Sequence, residues 1–544
     1  MAQTVNRFAQ VPRAEIKRSS FNRSHTVKTA FDSGYLVPIY VDEVLPGDTF
    51  NMSTSMVARL TSPVVTPVMD NIHIDTFFFF VPYRLVWDNW EKFNGAQDNP
   101  GDSTDYLIPQ LGENHNVVVG GLHNYFGLPI GYKTTSDNSV SALPFRAYNL
   151  IYNEWFRDQN LIDSAPVFKG DGPDPRQYET NKFTYTLLRR GKRHDYFTSA
   201  LPWPQKGPGV ELPLASGDAS VAFSSTLKNS NNVDILTSPS GTKFCNSTAS
   251  TFYAGVIGEH GVVKADPNPS EGSAISPVVS IGSLRGSVNL DSVSSVTINS
   301  LRQAFQLQTL FERDARGGTR YTEILRSHFG VTSPDGRLQR PEYLGGSTDY
   351  INVNQVAQTS GTDGNSPQAN LAAFGYMNSD KHGFTRSFTE HGVIIGLVNV
   401  WTDLTYQQGI NRMWNRKQRF DFYWPALAHL GEQAILNKEI YAQGTDEDEE
   451  VFGYQERNAE YRYHPSLITG KLASTSDTSL DVWHLAQKFD NLPKLNKEFI
   501  EEYPPLDRVL AVQDEPQIIL DAYFRLNCVR PMPLFGVPGI GSHL

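Results

Sequence analysis

Two unbroken apolar runs, Phe77–Val81 and Val393–Val398, stand out from a chain in which apolar and polar positions otherwise tend to alternate. Both are the length of a strand, well short of the roughly 18 apolar residues that would suggest a membrane-spanning helix. Around the first run, Ile72, Ile74, Thr76, Phe78 and Phe80 fall on one side of a strand; His73, Asp75, Phe77, Phe79 and Val81 fall on the other. The second set turns from polar to apolar at Phe77. The strand should therefore enter a place buried on both faces and end at Pro82. Tyr35–Val81 as a whole reads as strands, and strands return at Tyr350–Val356 and His391–Trp401. Near the C-terminus Ile518, Leu520, Ala522, Phe524, Leu526 and Cys528 alternate with Ile519, Asp521, Tyr523, Arg525, Asn527 and Val529, the pattern of a half-buried strand.

Helical spacing is rarer. Pro144 opens a helix carrying Phe145, Tyr148, Tyr152 and Trp155 on one face. A second helix starts at Leu301, with Ala304, Phe305, Gln308 and Phe311 on its face, and Gly317-Gly318 stops it. Short helices are expected at Arg84–Phe93 and, opened by Pro425, at Ala426–Tyr441. Asp98–Asn138 reads as loop, and Pro166–Pro175 interrupts regular structure. Strands at both ends with helices and long insertions between them do not give the regular alternation of a parallel sheet. The expected class is mainly β, an antiparallel sandwich with insertions.

Composition agrees: 19% of the 544 residues are charged and 12% aromatic. Two cysteines, Cys245 and Cys528, cannot build a disulfide framework or a cysteine zinc site. The first residues, MAQTVNRFAQVPRAEIKRSS, contain no apolar stretch to act as a signal peptide, so a cytosolic site of synthesis is expected. Net charge is −11, yet Arg7, Arg13, Lys17, Arg18, Arg23 and Lys28 face only Glu15 within Met1–Lys28. An arm of that kind, residues 1–30, can lie along phosphates while the rest of the chain stays acidic. Arg189, Arg190, Lys192 and Arg193 form the densest basic cluster elsewhere and are further candidates for contact with DNA or with an acidic neighbouring subunit, or else a solvated turn around Gly191.

Composition changes at about Glu211. Glu211–Ser300 holds 19 serines and four aromatics, Phe223, Phe244, Phe252 and Tyr253, with short alternations such as Val288–Ile298. It is expected to be a β-rich subdomain of residues 211–300, inserted between frame segments 31–210 and 301–529, with 530–544 an extended tail.

Catalytic and ligand-binding patterns are missing. Gly191-Lys192 and Gly470-Lys471 lack the glycines of a phosphate loop, His429 and Glu432 lack the second histidine of a zinc helix, and no Gly-x-Ser-x-Gly elbow occurs. The acidic run Asp446–Glu450 lacks the spacing of a calcium loop and reads as a solvated turn. No catalytic, cofactor or metal residue is assigned.

The stretch Leu404–Thr445, LTYQQGINRMWNRKQRFDFYWPALAHLGEQAILNKEIYAQGT, is dense in aromatics but has no catalytic motif. Trp414, Phe420, Phe422, Tyr423 and Trp424 within it are candidates for contact between subunits. Together with SGYLVPIYVDEVLPGDTF (33–50), SALPWPQKGPGVELPL (199–214), Leu301–Gly346 and VFGYQERNAEYRYHPSLITG (451–470), it resembles the major capsid protein of the Microviridae, most closely the gokushoviruses. The resemblance implies an eight-stranded antiparallel jelly roll that assembles with itself into an icosahedral shell around circular single-stranded DNA. It also implies partners: a small basic DNA-binding protein, an internal scaffolding protein, a DNA pilot protein and a host cell-surface receptor. Membrane insertion and cofactors are not expected. The insertion would project near the threefold axes, its four aromatics forming a small trimer core. The rival from another class is a carbohydrate-active β-sandwich, glycosidase or lectin, because such folds stack aromatics on sugars and cleave with paired carboxylates.

Overall fold

In the computed structural model the strands fall where side-chain alternation is strongest. The structure describes residues 17–209, 298–316, 339–362 and 367–535, with Ser327 and short strand segments between 222 and 287. Two compact units emerge, one of residues 1–206 and 312–544 and one of residues 207–311.

The first unit is built on one curled antiparallel sheet. Its strands are β1 (Ser19–Asn22), β2 (His25–Phe31), β3 (Val37–Val44), β4 (Thr49–Leu60), β5 (Ile72–Pro82), β6 (Glu342–Ala357), β7 (Leu371–Ser387), β8 (Gly392–Thr402) and β11 (Ile518–Arg530). A separate hairpin, β9 (Glu432–Leu436) with β10 (Val451–Glu456), lies between the last two in sequence. In space β1 and β2 pair with β11, and the path continues β11-β4-β7-β6-β5-β8-β3. The sheet folds over so that its halves face each other: Phe524 on β11 meets Tyr40 on β3 at 5.2 Å and Phe78 on β5 at 6.4 Å. Arg23 and Asp42 join the two ends at 2.5 Å. The architecture is the mainly β, eight-stranded jelly roll, with β1 and β2 sharing one edge position.

The inner core draws on Phe50, Met56, Phe78, Ile394, Leu520 and Phe524, all fully buried or nearly so. On β11 burial alternates without a break from Ile518 to Cys528, as its sequence requires. Strands β5 and β8 instead are buried on both faces. Their outer face, with Phe79, Val81, Val393 and Ile395, is covered by Trp87 and by helix α1 (Leu143–Ile151) through Phe145, Tyr148 and Ile151. At Gly396 a Cβ would come within 2.7 Å of the Phe78 ring and 2.8 Å of Tyr40, so a side chain there would force β3 and β5 apart.

Several expectations need correction. The arm was expected to run to residue 30, but Ser19–Asn22 and His25–Phe31 are strands of the sheet. The helix expected at Ala426–Tyr441 is absent: Pro425–Leu427 is a single 3-10 turn, Glu432–Leu436 is strand β9, and only Asn437–Ile440 is helical. Gly431, at φ 94°, breaks the run between turn and strand. Strand β7 was missed, because its exposed polar positions and the bulge between Ser379 and His382 disturb the alternation. The helix of Phe145 passes into a π turn at Tyr152–Phe156, which leaves Trp155 40% exposed while Tyr152 stays buried. Arg84–Phe93 divides into a 3-10 turn at Tyr83–Leu85 and one helical turn at Trp90–Phe93.

In the second unit the described backbone forms short antiparallel pairs, among them Ala222–Phe223 with Gly286–Ser287 and Asp234–Thr237 with Phe244–Asn246. Phe252, Tyr253 and most of Val288–Ile298 lie outside the described residues, as do the side chains of Phe223 and Phe244. Helix Ile298–Arg316 begins three residues before Leu301.

Phe524 has rings on three sides, His25, Tyr40 and Phe78, so its truncation leaves a void that backbone strands cannot close. Phe524→Ala is expected to cost the unassembled chain about 3–5 kcal/mol. Urea unfolding checks this, and a loss below about 1 kcal/mol would mean the two sheet halves do not depend on that contact.

Candidate assembly surface and its supporting charge network

The aromatic stretch divides into a buried and an exposed part. Tyr406, Ile435 and Ile440 pack with Tyr196, Phe197, Phe452 and Phe499 into a third core cluster beside the sheet. Trp414, Phe420, Phe422, Tyr423 and Trp424 stay outside it, 40–74% exposed. Two arginines flank three of them, Phe420, Phe422 and Trp424. Arg416 lies 4.4 Å over Tyr461 and 5.3 Å over Phe422, and pairs with Glu460 at 3.3 Å. Arg419 lies 4.5 Å over Trp424, whose indole N–H donates to the Arg419 carbonyl at 3.0 Å. Below them Arg412 bonds Glu439 at 2.8 Å, and Asn411 caps the turn by accepting from the Met413 N–H. Large apolar rings fixed in water by neighbouring charges form a surface suited to being covered by protein.

The basic cluster turns inward instead. Arg190 and Arg193 donate to Asp75 Oδ2 at 2.7 and 2.8 Å, and Thr348 donates to Oδ1 at 2.6 Å. Burial alone would raise the Asp75 carboxyl, but the Thr348 hydroxyl and Arg190 outweigh it and hold it below the ordinary carboxylate range. Arg193 also lies 3.8 Å over Trp401, which stacks at 3.9 Å on His73. Arg189 sits between Tyr35 and Tyr503, at 3.9 and 3.6 Å, and donates to the Ser33 and Glu502 carbonyls. Lys192 is 7% exposed, with its ammonium 4.7 Å over Phe499. A solvated turn is thus not what Arg190 and Lys192 form: their charged groups are turned inward, onto Asp75 and the Phe499 ring. They brace the sheet against the segment around Glu502.

Glu502 is the exposed cost of that arrangement. It is 1% exposed, and its Oε1 has no hydrogen-bond partner. Burial pushes its carboxyl up to about 7, against the pull of Lys192 and Arg190. Sequence reading missed Glu502 because nothing in its neighbourhood, EEYPP, distinguishes a buried glutamate from a surface one. Asp75, the one carboxylate in a largely apolar strand, was the visible signal.

Of the arm candidates, Arg23 pairs with Asp42 and Lys28 with Asp521 at 2.5 Å. Arg18 donates to the Thr49 hydroxyl at 2.6 Å, and Lys17 is exposed. Arg7 and Arg13 lie outside the described residues. The acidic run closes a small turn: Asp448 accepts from the Gln443 and Gly444 N–H groups, and Lys438 pairs with Glu449. Among the described residues no group of histidine, cysteine and carboxylate side chains is placed to hold a metal, and no helix is long and apolar enough to cross a membrane.

A curled antiparallel jelly roll with exposed aromatics beside its sheet suits one class, the structural subunit of a virus shell. The chain belongs to the phage family described as "Capsid protein (F protein)", whose profile matches residues 9–540. It is 48% identical to the capsid protein VP1 of Bdellovibrio phage phiMH2K over 98% of this chain and 97% of that one. It is also 45% identical to the capsid protein VP1 of Chlamydia phage 1 and 35% identical to that of Spiroplasma virus 4, in both cases over 98% of each chain. It is a major capsid protein of a microvirus-like phage, a structural component of the virion and not an enzyme. Its function is self-assembly into a capsid.

Glu502 makes stability depend on pH. Its folded value, about 7, lies above the ordinary glutamate value of 4.5, so the folded chain binds the extra proton between them. Stability contributed by this group is therefore present at and below pH 4.5 and declines as pH rises towards 7. Glu502→Gln keeps the shape and removes the charge. The variant should melt higher than the parent at pH 7.5 and lose the decline between about pH 4.5 and 7 that this group causes; equal melting temperatures at pH 7.5 would show that Glu502 is not strained.

Proposed function

We propose that the capsid is an icosahedral shell of this repeated chain around circular single-stranded DNA, assembled in the bacterial host cytoplasm, and that the braced aromatics are part of its subunit contacts. The observation that carries this reading is the match to capsid proteins along nearly the whole chain, combined with exposure of Trp414, Phe420 and Phe422 in the single subunit. Rings that are half or more exposed in the subunit are spared for a contact it cannot make alone. The resemblance supplies the remaining partners: an internal scaffolding protein, a small basic DNA-binding protein and a DNA pilot protein. An acidic chain enclosing a polyanion needs that basic protein as counter-charge. Arg7, Arg13 and Lys17 supplement it from the inner surface, a role read in the DNA content of particles carrying glutamine at these positions.

The second unit is the host-facing part in this reading. Its serine-rich composition suits a solvated protrusion around threefold axes, where Phe223, Phe244, Phe252 and Tyr253 of three copies would supply a small core and the surface would meet the host receptor.

Trp414→Ala and Trp424→Ala should leave the subunit's own melting within about 1 kcal/mol of the parent, because both rings are exposed there. Each should weaken assembly by about 2 kcal/mol or more, as centrally placed interface residues do. Electron microscopy and sedimentation of the variants check this; parental particle yield from both would remove the aromatics from the contact.

Replacing residues 217–291 by a short Gly/Ser linker should still give particles, since loop closure costs little more for long insertions than for short ones. Adsorption to host cells should fail. Normal adsorption by shortened particles would refute the attachment role, and complete loss of assembly would make the unit structural first.

A further inference from the structure

The layer β2-β11-β4-β7 has one face in the core and the other open to solvent. Pairing registers map that open face. On β11, Tyr523 lies opposite Ser55 of β4 and Thr26 of β2; Arg525 lies opposite Ser53, and Asn527 opposite Asn51. Further along, Ile519 faces Arg59, and Arg59 faces Tyr376 of β7 with its guanidinium 5.7 Å from the ring. Tyr523 is 43% exposed.

The charges on this face do not follow the chain as a whole, whose net charge is −11. Its carboxylates are occupied: Asp521 is paired with Lys28, and Asp380 accepts from Ser55 at 2.5 Å. Arg18, Arg59 and Arg525 have no carboxylate partner among the described residues. Arg18 is drawn onto the face by its bond to Thr49. An acidic protein has thus kept three guanidinium groups without a carboxylate partner among the described residues, the exposed ring of Tyr523, the half-buried ring of Tyr376 and a lawn of amides and hydroxyls on one sheet face. The two rings are four residues apart along the strand direction and two strands apart across it, about 16 Å from ordinary strand spacings. Four-stranded sheets that present aromatics on one open face can stack about two or three unpaired bases.

We propose that this face binds single-stranded nucleic acid, with Tyr523 and Tyr376 stacking on bases and Arg18, Arg59 and Arg525 meeting phosphates. It deepens the shell reading and rests on it, since it names the part of the subunit that would meet an enclosed strand. Guanidinium groups that no described carboxylate neutralises suit the phosphates of a nucleic-acid chain. The exposed Tyr523 ring, with Tyr376 partly accessible beside Arg59, favours an unpaired strand over a duplex, whose bases are already stacked.

The test uses the full-length chain, a fluorescent oligothymidine, and particles. Tyr523→Leu with Tyr376→Leu should weaken oligothymidine binding about tenfold or more, while leaving the salt dependence in place. Arg59→Gln with Arg525→Gln should reduce the slope of log affinity against log salt by about 1.4, two phosphate contacts on a single strand. Both variants should form particles with lower DNA content. Parental oligothymidine affinity in the tyrosine variant, or equal competition by duplex DNA, overturns the proposal. Variants that bind the oligomer normally but fail to form particles assign the face to a neighbouring subunit, which overturns it too. If the unaltered chain forms no shells, the shell reading itself fails; if every variant forms shells with full DNA, only this face assignment does.

Discussion

The structure depends on covering β5 and β8 from both sides. All 11 residues of β8, and all of β5 except the half-buried Phe77, are withdrawn from water, so their backbone groups must be paired and their side chains packed. The ladders to β6 and β3 satisfy the backbone. The inner face is filled by the opposite half of the sheet, and the outer face by α1 and the Trp87 segment. Asp75 is the exception. A carboxylate in such a strand would cost several kcal/mol unless compensated, and the cluster at residues 189–193 exists in its present form to compensate it. That demand fixes the course of the loop carrying these residues, and the loop in turn places Glu502, which backs onto Arg190 through a 2.8 Å backbone bond.

This coupling explains which features could be read in advance. β11 and β5 were legible because alternation, or its loss, records how many faces a strand buries. The jelly-roll order was not legible from periodicity: β11 lies between β2 and β4, some 490 residues away from the former, and no local pattern encodes that pairing. β7 escaped because its residues answer to an exposed face and to a bulge. The run 426–441 failed for the opposite reason, since its helix-like spacing was overruled by Gly431 and by the pairing of β9 with β10.

Site residues divide in the same way. Aromatic density singled out 404–445 correctly as unusual, but sequence could not tell the rings that enter the third core cluster from those that stay outside. Tyr406 and Phe422 look alike in the sequence. The difference is made by the arginines beside them, and an arginine reads the same whether it supports a ring, neutralises a buried carboxylate or meets solvent. Density of basic residues does not record direction: Arg190 and Lys192 of the tightest cluster turn inward, whereas isolated Arg59 and Arg525 lie on an open face.

The position of β11 has a consequence in time. Its 13 residues close the gap between β1, β2 and β4, yet they are synthesised long after all three, beginning only at Ile518. At about 5–20 residues per second a ribosome needs roughly half a minute or longer to deliver them. Until then β1 and β2 have no ladder to join, and Tyr40 and Phe78 lack the Phe524 ring that seals them. A nascent subunit therefore cannot present a finished sandwich, so fragments left by interrupted translation lack the geometry needed to enter a shell. Placing so late a strand in the middle of a layer makes closure of the sandwich wait on residues 518–530.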